Sequence, residues 1–189
     1  MENRRLKAIV ALLVILAAAG WDQAAKHLAR TYLEGRPPVL VVDRMLVLRY
    51  VENEGAFLSL GARLPRAART VVFIAFPLIV LAWMVGFLLR KRGVGWGMLT
   101  GFALVVGGGA GNLFDRLFHD GRVGDFLMLG LGGIHTGIFN FADVAVMAGC
   151  VVLLLAPSAE KGRSAPTAPP PPSAAEPPAT PEPPTSASL

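Results

Sequence analysis

Residues 71–89 and 93–114 contain no Asp, Glu, Lys or Arg, and only Arg90, Lys91 and Arg92 stand between them. Each run is close to the ~20 apolar residues that cross a bilayer. Two such runs in a chain of 189 residues leave little room for a soluble core. The composition agrees. Hydrophobic residues make up 53% of the chain and charged residues 16%, whereas soluble domains run nearer a quarter charged. The single cysteine, Cys150, rules out an intramolecular disulfide and a Cys-based zinc site.

Two further apolar windows flank this pair, so the chain reads as an all-α integral membrane protein. Four transmembrane helices are expected at about residues 6–27, 70–90, 94–115 and 138–156. The first window also has the outline of a signal peptide, with a basic start, an apolar middle and Ala17-Ala18-Ala19-Gly20. Its helical pattern runs on unbroken through Trp21 to Lys26, and a multispanning protein needs its first helix as an anchor. The window is therefore read as a retained span. Pro77 lies near the start of the second span, where a membrane helix can absorb it. The third is rich in glycine, which lets helices approach closely in lipid.

Four spans put both termini on one side. The basic start and the Arg90-Lys91-Arg92 turn make that side cytoplasmic. Arg36, Arg44, Arg49, Arg63, Arg66 and Arg69 then fall outside, against the rule, with Glu34, Asp43, Glu52 and Glu54 as partial offsets. The net charge of +5 comes from basic residues spread around apolar spans, so no nucleic-acid partner is expected. Between spans one and two, Val39–Val42 and Met45–Val51 predict a small β element at about 38–62, at the membrane surface, with Asp43-Arg44 as its turn. Residues 1–157 are expected to form the membrane domain. Residues 158–189, built mostly from Pro, Ala, Ser and Thr, are expected to be a disordered tail.

Polar residues at membrane depth are costly, so they carry information. Asp22 and Lys26, at i and i+4, share a helix face and can form a neutralising ion pair. Asn53-Glu54-Gly55 reads as a turn. Gly107 to Arg116 places Asn112 and Arg116 on one face and leaves Asp115 to brace the span end. A phosphate loop is the rival there, but the Gly-Lys-Ser/Thr ending is missing. Asn140 and Asp143 share a helix face at i and i+3. If spans three and four are antiparallel neighbours, Asp125 and Asp143 can meet near the outer surface. Two such carboxylates share one proton, and the pair can activate water and protonate a leaving group. By spacing alone, two unrelated interfacial acids fit as well. His27, His119 and His135 lack metal-ligand spacing, so no metal is expected. Ser59 has no elbow motif or partner base for a serine nucleophile.

Five motifs together resemble the lipoprotein signal peptidase (signal peptidase II) family over about residues 5–157. They are Asp22-Gln23-x-x-Lys26, Asn53-x-Gly55-Ala56, Gly108-Gly109-x-Gly111-Asn112-x-x-Asp115-Arg116, Val123-x-Asp125-Phe126 and Phe139-Asn140-x-Ala142-Asp143. The resemblance implies an aspartic endopeptidase of the bacterial cytoplasmic membrane. Such an enzyme cuts diacylglyceryl-modified prolipoproteins just before the lipid-bearing cysteine and uses no cofactor. It implies four helices, a small extracytoplasmic β-sheet cradle and a short extracytoplasmic helix. It implies Asp125 and Asp143 as the catalytic pair, with Asp115 the runner-up for the first role. Asn53, Gly55, Asn112, Arg116 and Asn140 would bind substrate, and Asp22 and Lys26 would be structural or near the site. Gly124 stands where the family pattern has a second valine. The expected partners are prolipoproteins and membrane lipids, and a monomer is expected. Two rival readings are a small transporter or proton channel using Asp22, Asp125 and Asp143 as a relay, and a non-catalytic scaffold held by buried ion pairs.

Overall fold

The computed structural model describes residues 2–42, 45–55, 61, 64–91, 93–131 and 134–156. The Asp43-Arg44 turn, Ser59 and the 158–189 tail lie outside the described residues.

Helix α1 spans Glu2–Leu33, past the expected span at both ends. At 1.5 Å per residue its 32 residues reach about 48 Å, more than a ~30 Å hydrocarbon core. It stops where Gly35 takes φ +69 and Pro37-Pro38 remove two donors. The second run is three pieces: α2 (Arg66–Thr70), one wide π turn (Val71–Ala75) and α3 (Phe76–Arg90). Pro77 accounts for the wide turn. Its ring crowds the carbonyl four residues back, so the helix loosens there, and the Phe76 N–H bonds the Val71 carbonyl five residues back. Helix α4 spans Trp96–Phe118.

Among the described residues, three helical runs are long and apolar enough to cross a membrane: Arg4–Leu33, Arg66–Arg90 and Trp96–Phe118. The fourth helix, α5, is shorter, Phe141–Leu155. Asn140 caps it, so Ile138 and Phe139 do not join the helix. Phe139 instead bridges to Leu127.

The β element is larger than expected. Strands β1 (Val39–Val42) and β2 (Leu46–Asn53) are joined by β3 (Val123–Leu131) and β4 (Ile134–His135), in spatial order β1-β2-β3-β4, all antiparallel. Leu48 faces Leu127 and Val51 faces Asp125, so β2 holds one extra residue between them. That bulge twists the strand and re-aims its last residues, including Asn53 opposite Val123.

Helix α4 is central and packs against α1, α3 and α5. Its buried face carries Leu99, Ala103, Val106 and Leu113, and Leu99 and Ala103 meet Ala11 of α1 and Val94 in one core. Several glycines set close approaches, and two of them lie beside the polar residues. A Cβ on Gly108 would collide with the Ala142 carbonyl of α5, and one on Gly111 would lie 2.8 Å from Asp22 Oδ2 of α1. Gly108→Ala should therefore lower the melting temperature in detergent, by an overpacking cost of ~1–3 kcal/mol. Gly20→Ala, with nothing within 4 Å of the new methyl, should leave it unchanged or raise it. Equal effects of the two would contradict this packing.

Candidate active site

The polar residues of α1 and α4 form a largely buried junction. Lys26 Nζ lies 2.7 Å from Asp22 Oδ2 and 2.9 Å from Asp115 Oδ2, and donates to Asn112 Oδ1 at 2.9 Å. Asp22 is fully buried, and its other oxygen accepts the Ala142 N–H of α5 at 2.8 Å. Asp115 also accepts from Gln23 Nε2 (2.7 Å) and from the Gly124 N–H (3.2 Å). Asp115 is thus spent on Lys26, Gln23 and the backbone of β3.

Beyond this junction lies a second group. Asp125, 4% exposed, accepts Asn140 Nδ2 on Oδ1 at 2.6 Å and Asn53 Nδ2 on Oδ2 at 2.9 Å. Asn140 is fully buried and caps α5: its Oδ1 accepts the Asp143 N–H at 3.0 Å, and its own N–H donates to Asp143 Oδ2 at 3.2 Å. Asn112 closes the ring. Its Nδ2 donates to Asp143 Oδ1 at 2.9 Å, and its Oδ1 accepts Asn140 Nδ2 at 3.1 Å. The two acids thus come from β3 and α5 and meet at the Asn140 and Asn112 amides.

Local sequence explains this placement. Phe139 pairs on the open edge of β3, with its carbonyl accepting the Phe126 and Leu127 N–H groups, and Asn140 comes directly after it. The start of α5 is therefore pinned beside Asp125. On the other edge, β2 ends at Asn53, whose Oδ1 accepts the Gly55 N–H at 2.9 Å in a tight turn. Burial pushes the Asp125 carboxyl up to about 6; the Asp143 charge adds to this, and the bonds from Asn53 and Asn140 oppose it. Arg116 donates to the Gly55 carbonyl at 3.0 Å and lies over the Phe73 ring at 5.4 Å. Its Nε is buried and finds no acceptor among the described residues.

Several contributors had no site role assigned to them from the sequence. Gln23 links Asp115 to the Gly111 carbonyl. Glu52 and Glu54 flank Asn53 and bind Arg30, Arg69 and Arg122. Gly124 does not have a positive φ; a Cβ there would come within 3.2 Å of the Tyr50 ring and hydroxyl. Tyr50 occupies the space beside that glycine. His27 and His119 line a cavity of about 150 Å³ with Lys26, Tyr50 and Gly124. Among the described residues no cluster of three His, Cys, Asp or Glu side chains is arranged to hold a metal.

Long apolar helices and a small sheet that bears a polar cluster, with Asp125 buried and Asp143 half-buried, are the features of a multi-pass membrane protein. Residues 13–158 match the model of the family described as signal peptidase (SPase) II. The lipoprotein signal peptidase of Leifsonia xyli subsp. xyli is 37% identical over 161 residues, covering 80% of this chain and 70% of that protein. That of Francisella tularensis subsp. novicida is 32% identical over 160 residues, covering 85% and 96%. Two solved structures of bacterial membrane enzymes, obtained by the in meso method, superpose with a TM-score of 0.68 at 23% identity. They cover 77% of this chain and 85% or 90% of theirs, and they establish a shared fold. The chain belongs to the signal peptidase II family, and is thus a protease of the bacterial membrane.

Removing the Lys26 cation from the junction leaves Asp22 and Asp115 buried without it. Lys26→Met should therefore destabilise the protein by ~3–5 kcal/mol, seen as a large drop in melting temperature in detergent. A variant as stable as the parent would show that the junction is not structural.

Proposed function

We propose that the chain is an aspartic endopeptidase that removes the signal peptide from diacylglyceryl-modified prolipoproteins, cutting before the lipid-bearing cysteine. Asp125 and Asp143 are the reacting pair. The observation that carries this reading is Asn140, which donates its side-chain amide to Asp125 and exchanges two hydrogen bonds with Asp143.

The surroundings of the two acids differ, and this difference supports distinct roles for them. Asp143 sits in the first turn of α5 and accepts two N–H groups, from Asn112 Nδ2 and the Asn140 backbone. Helix N-termini favour negative charge. Asp143 carries the charge and takes a proton from the attacking water. Asp125, raised to about 6 by burial, holds the proton and delivers it to the leaving amide nitrogen. Water oxygen bonds the scissile carbonyl carbon, the C–N bond breaks, and the pair is left with its proton on the other acid. Arg116, with its buried Nε unmet among the described residues, offers that N–H to a substrate carbonyl. Substrate peptide groups need such partners once they leave water.

In this reading α5 is a fourth span, the peptidase domain ends near residue 157, both termini are cytoplasmic and the site faces outward. The signal peptide and the two acyl chains stay in lipid while the peptide bond enters sideways between α4, α5 and β3. The enzyme acts as a monomer.

Asp125→Asn and Asp143→Asn should each abolish cleavage of a diacylated prolipoprotein, by at least about a thousandfold given the non-additive losses seen when one member of a catalytic unit is removed. Purified protein and a gel-shift assay measure it. Substantial cleavage by Asp125→Asn would overturn the assignment and return the role to Asp115. The pH profile derives from the same roles. Asp125 is neutral below about 6 and charged above it. The active form needs its proton, so kcat/KM, which reports the free enzyme, should fall as pH rises through about 6. A profile flat across that window would contradict the role given to Asp125.

A further inference from the structure

We propose that Arg122 is a positioning residue, which grips Glu52 and Glu54 on either side of Asn53 and so holds the Asn53 amide on Asp125. The inference rests on the reading of Asp125 and Asp143 as the reacting pair.

Strand geometry makes the connection. Glu52 lies in β2 and Glu54 in the bend that follows it, with Asn53 between them. Arg122 Nη1 donates to Glu52 Oε2 at 2.9 Å, and its Nε lies 3.2 Å from Glu54 Oε1. One rigid, planar guanidinium therefore holds both neighbours of Asn53. That grip fixes the rotation of the strand end about its own axis, which is the motion that would swing Asn53 Nδ2 off Asp125 Oδ2, 2.9 Å away. The need is local. Asn53 is the last residue of β2 and pairs with Val123, the residue after Arg122 and the first of β3. The ends of an element open more readily than its centre.

Two more arginines complete the clamp. Arg69 on α2 lies 2.7 Å from Glu54, and Arg30 on α1 lies 3.6 Å from Glu52. The turn after β2 is thus tied to α1, α2 and the α4–β3 connection. The hydrogen bond from Arg69 and the charge of Arg122 hold the Glu54 carboxyl below its ordinary value, so the clamp stays charged. Salt can reach these pairs, since the Arg122 side chain is 44% exposed, Glu54 43% and Glu52 26%. Single pairs of this kind are weak. Here three arginines act on one turn, and the product of their action is a distance at the site.

The other charged groups near Asp125 are Asp143 on α5, Arg116 on α4 and Lys26 on α1, the last paired with Asp115 and Asp22. None of them bonds Arg122, and the arginine and glutamate variants remove charges of opposite sign, so a shift in the same direction in all of them reports Asn53. Loss of a hydrogen bond to the charged carboxylate favours the neutral form.

The test is full kinetics and pH profiles of purified Arg122→Gln, Arg122→Lys, Glu52→Gln and Glu54→Gln on a diacylated prolipoprotein, with Asp125→Asn and Asp143→Asn alongside. Arg122→Gln should lower kcat about three- to tenfold, the scale of losing two partly exposed pairs, with KM little changed. Its base limb should move to higher pH. Arg122→Lys should restore part of kcat, and each glutamate variant should give a smaller change of the same sign. High salt should lower kcat of the parent more than that of Arg122→Gln. If Arg122→Gln does not fold, the two glutamate variants decide alone. Wild-type kcat and base limb in Arg122→Gln, or in both glutamate variants, would overturn the clamp while leaving the pair in place. Cleavage by Asp125→Asn or Asp143→Asn would overturn the pair, and the role of Arg122 with it.

Discussion

The buried polar contacts that join α1, α4 and α5 are built around Lys26. In lipid there is no hydrophobic force to hold one apolar helix against another, so packing and polar contacts must do it. Lys26 supplies one charge from α1, and α4 answers with Asp115 and Asn112. Asp22 neutralises it from the same helix and uses its spare oxygen to hold the first turn of α5. Three helices are thereby fixed at one height. An unmatched charge at that depth is costly, so the arrangement has few alternatives.

Fixing the helices also orients an amide. Lysine only donates and a carboxylate only accepts. Asn112 lies between Lys26 and Asp143, so its oxygen must face the first and its nitrogen the second. The same oxygen receives Asn140, which turns the Asn140 nitrogen toward Asp125. The direction of each dipole is therefore set by the buried ion pair beneath. Glycine at 108 and 111 is what lets the backbones come close enough for this chain of contacts.

Sequence showed the apolar helices well, because an uncharged run of that length has few other uses. It misjudged the start of α5, since Ile138 and Phe139 are as apolar as the helix beyond them and only the Asn140 cap separates them. Strand β3 escaped notice for a related reason. Val123 to Phe126 are buried on both faces, so the alternation that marks a half-buried strand is missing. The bulge in β2 has no sequence mark at all. The residues brought together around Asp125 and Asp143 were legible as motifs. Their contacts were not, because Asn53, Asn112, Asp125 and Asn140 meet across separations that no local period encodes. Nor did spacing reveal that the arginines Arg30, Arg69 and Arg122, in part a puzzle for charge rules, have glutamates waiting for them.

The length of α5 has a consequence for the bilayer itself. Fifteen residues rise about 22 Å, well short of a ~30 Å hydrocarbon core. A short helix is accommodated by thinning of the surrounding lipid. With α5 as the proposed fourth span, such thinning would bring headgroups and their hydration toward the end that carries Asn140 and Asp143. Hydrophobic mismatch would then be a source of the water that hydrolysis lacks in oil.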